Sequence, residues 1–154
     1  MNVRVIYLSV LLCASVFAGE NDGALQVEVI EELNFGSIKI AGVSGSISVS
    51  PYYPTLVNTT GGVYALSAAT PSPSQLSVAG EPNTLVYLNI QNQATLQSTQ
   101  GEYLQLSLEL NERIRHLGVT GVIDDVYIGG TLSVDAQTKA GDYRGAFSIS
   151  VDYQ

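Results

Sequence analysis

The most regular feature of the chain is a two-residue alternation of apolar and polar side chains. Tyr103-Leu104-Gln105-Leu106-Ser107-Leu108-Glu109-Leu110 sets four leucines on one side and mostly polar groups on the other, the arrangement of a strand with one buried face. A helix would scatter the same leucines around its circumference. Phe147-Ser148-Ile149-Ser150-Val151-Asp152-Tyr153 repeats the pattern with aromatic and β-branched residues, the types that pack well on a pleated surface. Weaker alternation marks residues 25–30, 37–40, 45–49, 63–68, 85–90, 119–123 and 131–136. Between these runs lie turn-forming residues: Ala41-Gly42, Pro51 and Pro54, Gly61-Gly62, Pro71-Ser72-Pro73, Gly80 to Asn83, Gly129-Gly130 and Ala140-Gly141-Asp142. The pattern predicts about nine short strands with turn signals every ~8–15 residues, the rhythm of an all-β, antiparallel sandwich. Helix signals are nearly absent, and the charged residues 110–117 read as a strand end running into a loop or single turn. Gly141-Asp142 joins two alternating segments, so residues 132–136 and 147–153 are expected to pair as neighbours.

The first 18 residues break this pattern. A single positive charge at Arg4, an apolar run from Val5 to Val16 and the tripeptide Val16-Phe17-Ala18 are the parts of an export signal, with small residues at −3 and −1 of a cleavage point. The run is shorter than the roughly 20 residues a bilayer span needs. Leu12 precedes Cys13, which argues against a lipoprotein signal. Cleavage after Ala18 is expected to leave residues 19–154 as one exported domain. Residues 19–32 then form a donor strand or a first strand.

Composition sharpens that picture. Cys13 is the only cysteine of the 154 residues, so an exported domain without its leader folds with no disulfide. It must rely on core packing and sheet pairing. Five bases against 14 acids remain beyond residue 18, a formal charge of −9. Such a surface repels nucleic acid and acidic headgroups, and no second stretch reaches spanning length.

Candidate chemistry is sparse. His116 is the single histidine, and a hydrolytic triad would need it with Asp124 or Asp125 and a serine. No serine occupies a Gly-x-Ser-x-Gly elbow. With Arg113 and Arg115, His116 reads instead as a solvated loop that partly offsets the acidic surface. Glu31-Glu32 and Asp124-Asp125 are paired acids, but neighbours in a strand point to opposite faces and do not converge on one substrate. Asp124, Asp125 and Asp135 lack the spacing of a calcium loop. No catalytic residue, metal or cofactor is therefore expected. Tyr52, Tyr53, Tyr64, Tyr87 and Tyr127 support one alternative, a secreted carbohydrate-binding module with an aromatic shelf. A self-complete monomeric surface or coat protein is another.

Three segments carry a resemblance. Leu33-Asn34-Phe35-Gly36-Ser37-Ile38, Gly129-Gly130-Thr131-Leu132-Ser133-Val134 and the stretch from Gly141 to Tyr153 resemble the DUF4402 family of bacterial exported proteins. That family is similar in turn to spore coat protein U-like and chaperone–usher pilus subunits. The resemblance implies an immunoglobulin-like antiparallel β-sandwich and a noncatalytic subunit of a fimbria-like fibre. It also implies partners: self-association or other fibre subunits, with a periplasmic chaperone and an outer-membrane usher. Gly141 and Tyr153 bracket the last strand as in pilins, where that strand borders a groove filled by a strand of the next subunit. On this reading Gly141, Phe147, Ile149, Val151 and Tyr153 form the acceptor groove, and Leu25, Val27 and Val29 are the donor residues. Their alternation suits a first strand used in cis equally well.

Overall fold

The computed structural model describes residues 5–10, 24–66 and 70–154; the expected cleavage point at Ala18 and the sole cysteine lie outside them. The described chain is all β. Twelve strands run in order β1 (Val5–Val10), β2 (Gln26–Glu31), β3 (Asn34–Val49), β4 (Val57–Leu66), β5 (Ser74–Ala79) and β6 (Leu85–Ile90). They continue with β7 (Gln93–Ser98), β8 (Tyr103–Leu110), β9 (Ile114–His116), β10 (Val122–Val134), β11 (Gly141–Gly145) and β12 (Ile149–Tyr153).

Nine of them form one curled sheet in the order β2-β5-β10-β8-β7-β11-β1-β3-β4, and β12-β6-β9 form a second. The long strands change neighbours midway. One edge of β10 pairs first with β5 and then, from Gly130, with the last five residues of β3. The first residues of β3 pair instead with β1. Because β10 and β3 also pair, the six strands β10, β8, β7, β11, β1 and β3 close into a barrel-like ring. Closure brings backbones into close approach at Gly129 and Gly130, where a Cβ would fall against the Val49 and Ser107 carbonyl oxygens respectively. Only glycine fits such an approach.

Alternation decides which side chains enter the core. In β8 every second residue is buried, placing Leu104, Leu106, Leu108 and Leu110 inside. They share one cluster with Phe147, Ile149 and Val151, as one apolar face packed on another requires. Residues 110–117 contain the short strand β9 and no helix.

One expected pairing is corrected. Residues 132–136 do not pair with 147–153: Leu132 of β10 lies between Leu106 of β8 and Ile47 of β3, so both edges of that segment are taken. The chain instead turns at Asp135, whose amide donates to Thr138 Oγ1 and whose carboxylate accepts from the Gln137 amide. It then runs back as β11 beside β7 and as β12 beside β6. Since β6 and β7 are consecutive, the final segment 141–153 follows residues 86–98 antiparallel through both sheets, bending where Phe147 is buried.

Candidate assembly surface

The final segment carries all five expected acceptor residues. Ile149 and Val151 are each 1% exposed because the strand's pleat turns alternate residues into the core. Ser150 and Asp152 point outward. On one side β12 pairs with β6, and on the other it has no neighbour among the described residues. Its end is tied down: Tyr153 Oη accepts the Glu81 amide at 2.8 Å, and the Gln154 amide donates to the Leu85 carbonyl. The bare edge contains no proline, lysine or bulge, the usual devices that block strand addition.

Gly141 and Gly145 differ in what they require. A Cβ at Gly141 would meet nothing nearer than Ser98 Cβ at 3.9 Å. At Gly145 it would stand 2.6 Å from both Leu96 Cδ2 and the Thr95 carbonyl oxygen. Gly145, which the alternating pattern does not single out, is therefore the position where β11 must approach β7 without a side chain. Between the two glycines Tyr143 is 1% exposed and its hydroxyl donates to the Lys139 carbonyl at 2.9 Å. Burial, followed by the charge of Glu102, raises its phenol pKa above the ordinary value.

The donor candidates lie in and beside β2, which is the outermost strand of its sheet and pairs with β5 of the same chain, Val27 opposite Val78 and Val29 opposite Leu76. Leu25 is buried, whereas Val27 and Val29 are only half-buried against the core. Among the strands that sequence reasoning missed, β1 borders the final segment. Its residues pair on both sides, antiparallel with β3 and parallel with β11. A signal was present, since Ile6, Leu8 and Val10 alternate with Tyr7 and Ser9, but the apolar run around them reads first as an export signal.

The remaining candidates do not converge. Among the described residues no three His, Cys, Asp or Glu side chains come together as a metal site. Arg115 bonds Asp125 at 2.5 Å and Glu112 at 3.3 Å, and its guanidinium holds the Asp125 carboxyl below the usual range. His116 Nδ1 accepts the Gly118 amide at 3.0 Å, a local turn contact. The five tyrosines of the supposed shelf come from four separate parts of the fold. Tyr64 is on β4, Tyr87 on β6 and Tyr127 on β10, with Tyr52 and Tyr53 in the β3–β4 connection. An open depression of about 440 Å³ is lined by Gln97, Ser98, Thr99, Asp142 and Arg144, without a nucleophile–base pair. No helix among the described residues is long and apolar enough to cross a membrane.

No curated protein matches the chain. The family model described as a domain of unknown function, DUF4402, matches residues 25–153, from the start of the β2 segment to the penultimate residue, and the chain belongs to that family.

Proposed function

We propose that the protein is a noncatalytic structural subunit of a bacterial surface fibre or fimbria-like assembly, exported through the periplasm and joined to its neighbours by β-strand complementation. In this reading the curled sheets are a variant of the immunoglobulin-like sandwich. The observation that carries it is the final segment 141–153: a strand fixed on one side to residues 86–98 whose other edge is bare along β12 and is covered along β11 only by β1, from the segment expected to be cut away. Main-chain hydrogen bonds to such an edge supply adhesion, and alternate apolar side chains set the register. A slip of one residue would drive a carboxylate such as Glu28 toward the core, where it would be desolvated and unpaired. The absence of converging catalytic or metal-ligating groups among the described residues is compatible with this role.

The test is assembly of the exported protein. Material sheared from the surface of expressing cells should run as a ladder in unboiled detergent gels and as fibres by electron microscopy. Deleting residues 19–30 should abolish the ladder while leaving a chaperone-bound, folded subunit. A monomer at every concentration by size-exclusion chromatography would refute the reading.

A further inference from the structure

The ring of six strands is closed by β1, the one strand drawn from the segment expected to be cut away. Its backbone lies between β3 and β11, with Ile6 opposite Ile38 and Gly141, and Leu8 opposite Gly36 and Tyr143. Neighbouring strands stand ~4.8 Å apart, so removing β1 leaves two facing edges separated by roughly 10 Å, the width of one missing strand. Each edge would expose a row of unpaired backbone groups above core residues that include Phe35, Ile38 and Tyr143. On the β3 edge, Ser37 Oγ is buried and has no hydrogen-bond partner.

We propose that the position held by Val5–Val10 is vacated when the N-terminal segment is excised and is refilled by the β2 strand of a second copy. This rests on the strand-complementation reading and assigns it a site and a register. Strand β2 has the right form: it is six residues long, as is β1, and Leu25, Val27 and Val29 repeat the spacing of Ile6, Leu8 and Val10. It is also outermost in its sheet, with a backbone ladder to β5 alone, and of these three apolar residues only Leu25 is fully buried. Moving it exchanges one backbone ladder, to β5, for two, to β3 and β11.

Charge favours the same exchange. Lys39 on β3 and Arg144 on β11 flank the position, opposite Val5 and Ser9 respectively. They are two of only five bases beyond residue 18, and neither forms an ion pair among the described residues. With Leu25, Val27 and Val29 in place of Ile6, Leu8 and Val10, Glu28 takes the place of Ser9 and stands opposite Arg144. In its own chain Glu28 faces Ser77.

Single cysteines test this cleanly, since Cys13 leaves with the leader. The precursor is exported in a Gram-negative host and the product's N-terminus is read by intact mass. Glu28→Cys and Arg144→Cys proteins, both altered at exposed positions, are then mixed and oxidised, and any disulfide formed joins two copies. The expected result is a product beginning beyond residue 10 and a cross-linked dimer from this mixture, with none from Glu28→Cys mixed with Ser150→Cys on β12. Cross-linking to Ser150→Cys alone would overturn the proposed site while leaving strand complementation standing. A product that retains residues 5–10 would likewise overturn the site, because the position would never be vacated. If the mixtures give no dimer and a Glu28→Cys/Ser77→Cys double variant closes within a monomer, both the site and the assembly reading fail.

Discussion

Truncation of Leu106 to alanine probes the centre of the ring. Leu106 is 1% exposed, pairs with Leu132 on one side and Ala94 on the other, and its Cδ1 would lie 3.1 Å from a Cβ placed at Gly130. The surrounding strands are fixed by ladders on both sides, so little collapse into the vacated space is possible. A cost in the usual range for buried leucine, about 3–5 kcal/mol, is expected. For a domain of this size each kcal/mol corresponds to about 4 °C, so the melting midpoint should fall by roughly 12–20 °C. The assay is urea unfolding followed by far-UV circular dichroism, because the chain has no tryptophan. The midpoint should drop while the slope with urea stays constant. Tyr103→Ala, three positions away on the outward face and 63% exposed, serves as control and should shift stability by less than about 0.5 kcal/mol. A Leu106→Ala protein with an unchanged midpoint would remove this residue from the core and refute the assigned phase of β8.

Gly145→Ala should destabilise by about 1–3 kcal/mol through overpacking, whereas Gly141→Ala should be nearly neutral; thermal melts of the two variants side by side check the contrast. Tyr143→Phe should cost about 1–2 kcal/mol at neutral pH by removing the hydroxyl's hydrogen bond to the Lys139 carbonyl, read as a lowered urea midpoint. The raised phenol pKa of Tyr143 means that its contribution holds below the unfolded value of about 10 and is lost as pH rises through the higher folded value. Stability measured from pH 8 to 11 should therefore fall at the alkaline end, less steeply in Tyr143→Phe. Asp125 has the opposite sign: its pKa is lowered by Arg115, so its contribution is present above about pH 4 and lost as pH falls through the lower folded value. Asp125→Asn should flatten the acid limb of the pH–stability curve slightly, because the Asp125 carboxylate is largely solvent-exposed and its pairing is screened by water.

The strands with the strongest alternation were legible from sequence. In β8 and β12 the side-chain period alone identifies the buried set, because one face is apolar throughout. Residues 37–40 and 45–49 also alternate, but the sequence separates them at Ala41-Gly42. In the structure they are one strand, β3, with a register shift between Ile40 and Gly45. Strands β5 and β7 carry alternation diluted by Ser, Gln, Thr and Ala, residues that bury little apolar area and leave a faint signal. The partner of each strand was less legible than its existence. Gly141-Asp142 suggested a local pairing of residues 132–136 with 147–153, and long-range closure through β3 and β8 prevailed because it saturates both edges of β10. For the assembly surface, the final strand was evident, while the steric demand at Gly145 and the place of β1 depend on neighbours distant in sequence.

The ring also sets a timetable for folding. The edge of β3 at residues 34–39 and the strand β11 that faces it across the ring are separated by about 100 residues, and at synthesis rates of ~5–20 residues per second the first edge emerges ~5–20 s before the second. Local hairpins form in microseconds, so throughout that interval most of the sheet can exist while the ring stays open at one seam. Under the export proposed above, a chain crossing a membrane N-terminus first presents an unfinished seam to its surroundings for far longer than its strands take to pair, and crowding by sister chains at that stage favours aggregation. Exported yield should accordingly depend on how fast chains are delivered, and slowing translation initiation should raise the folded fraction without any change in the sequence.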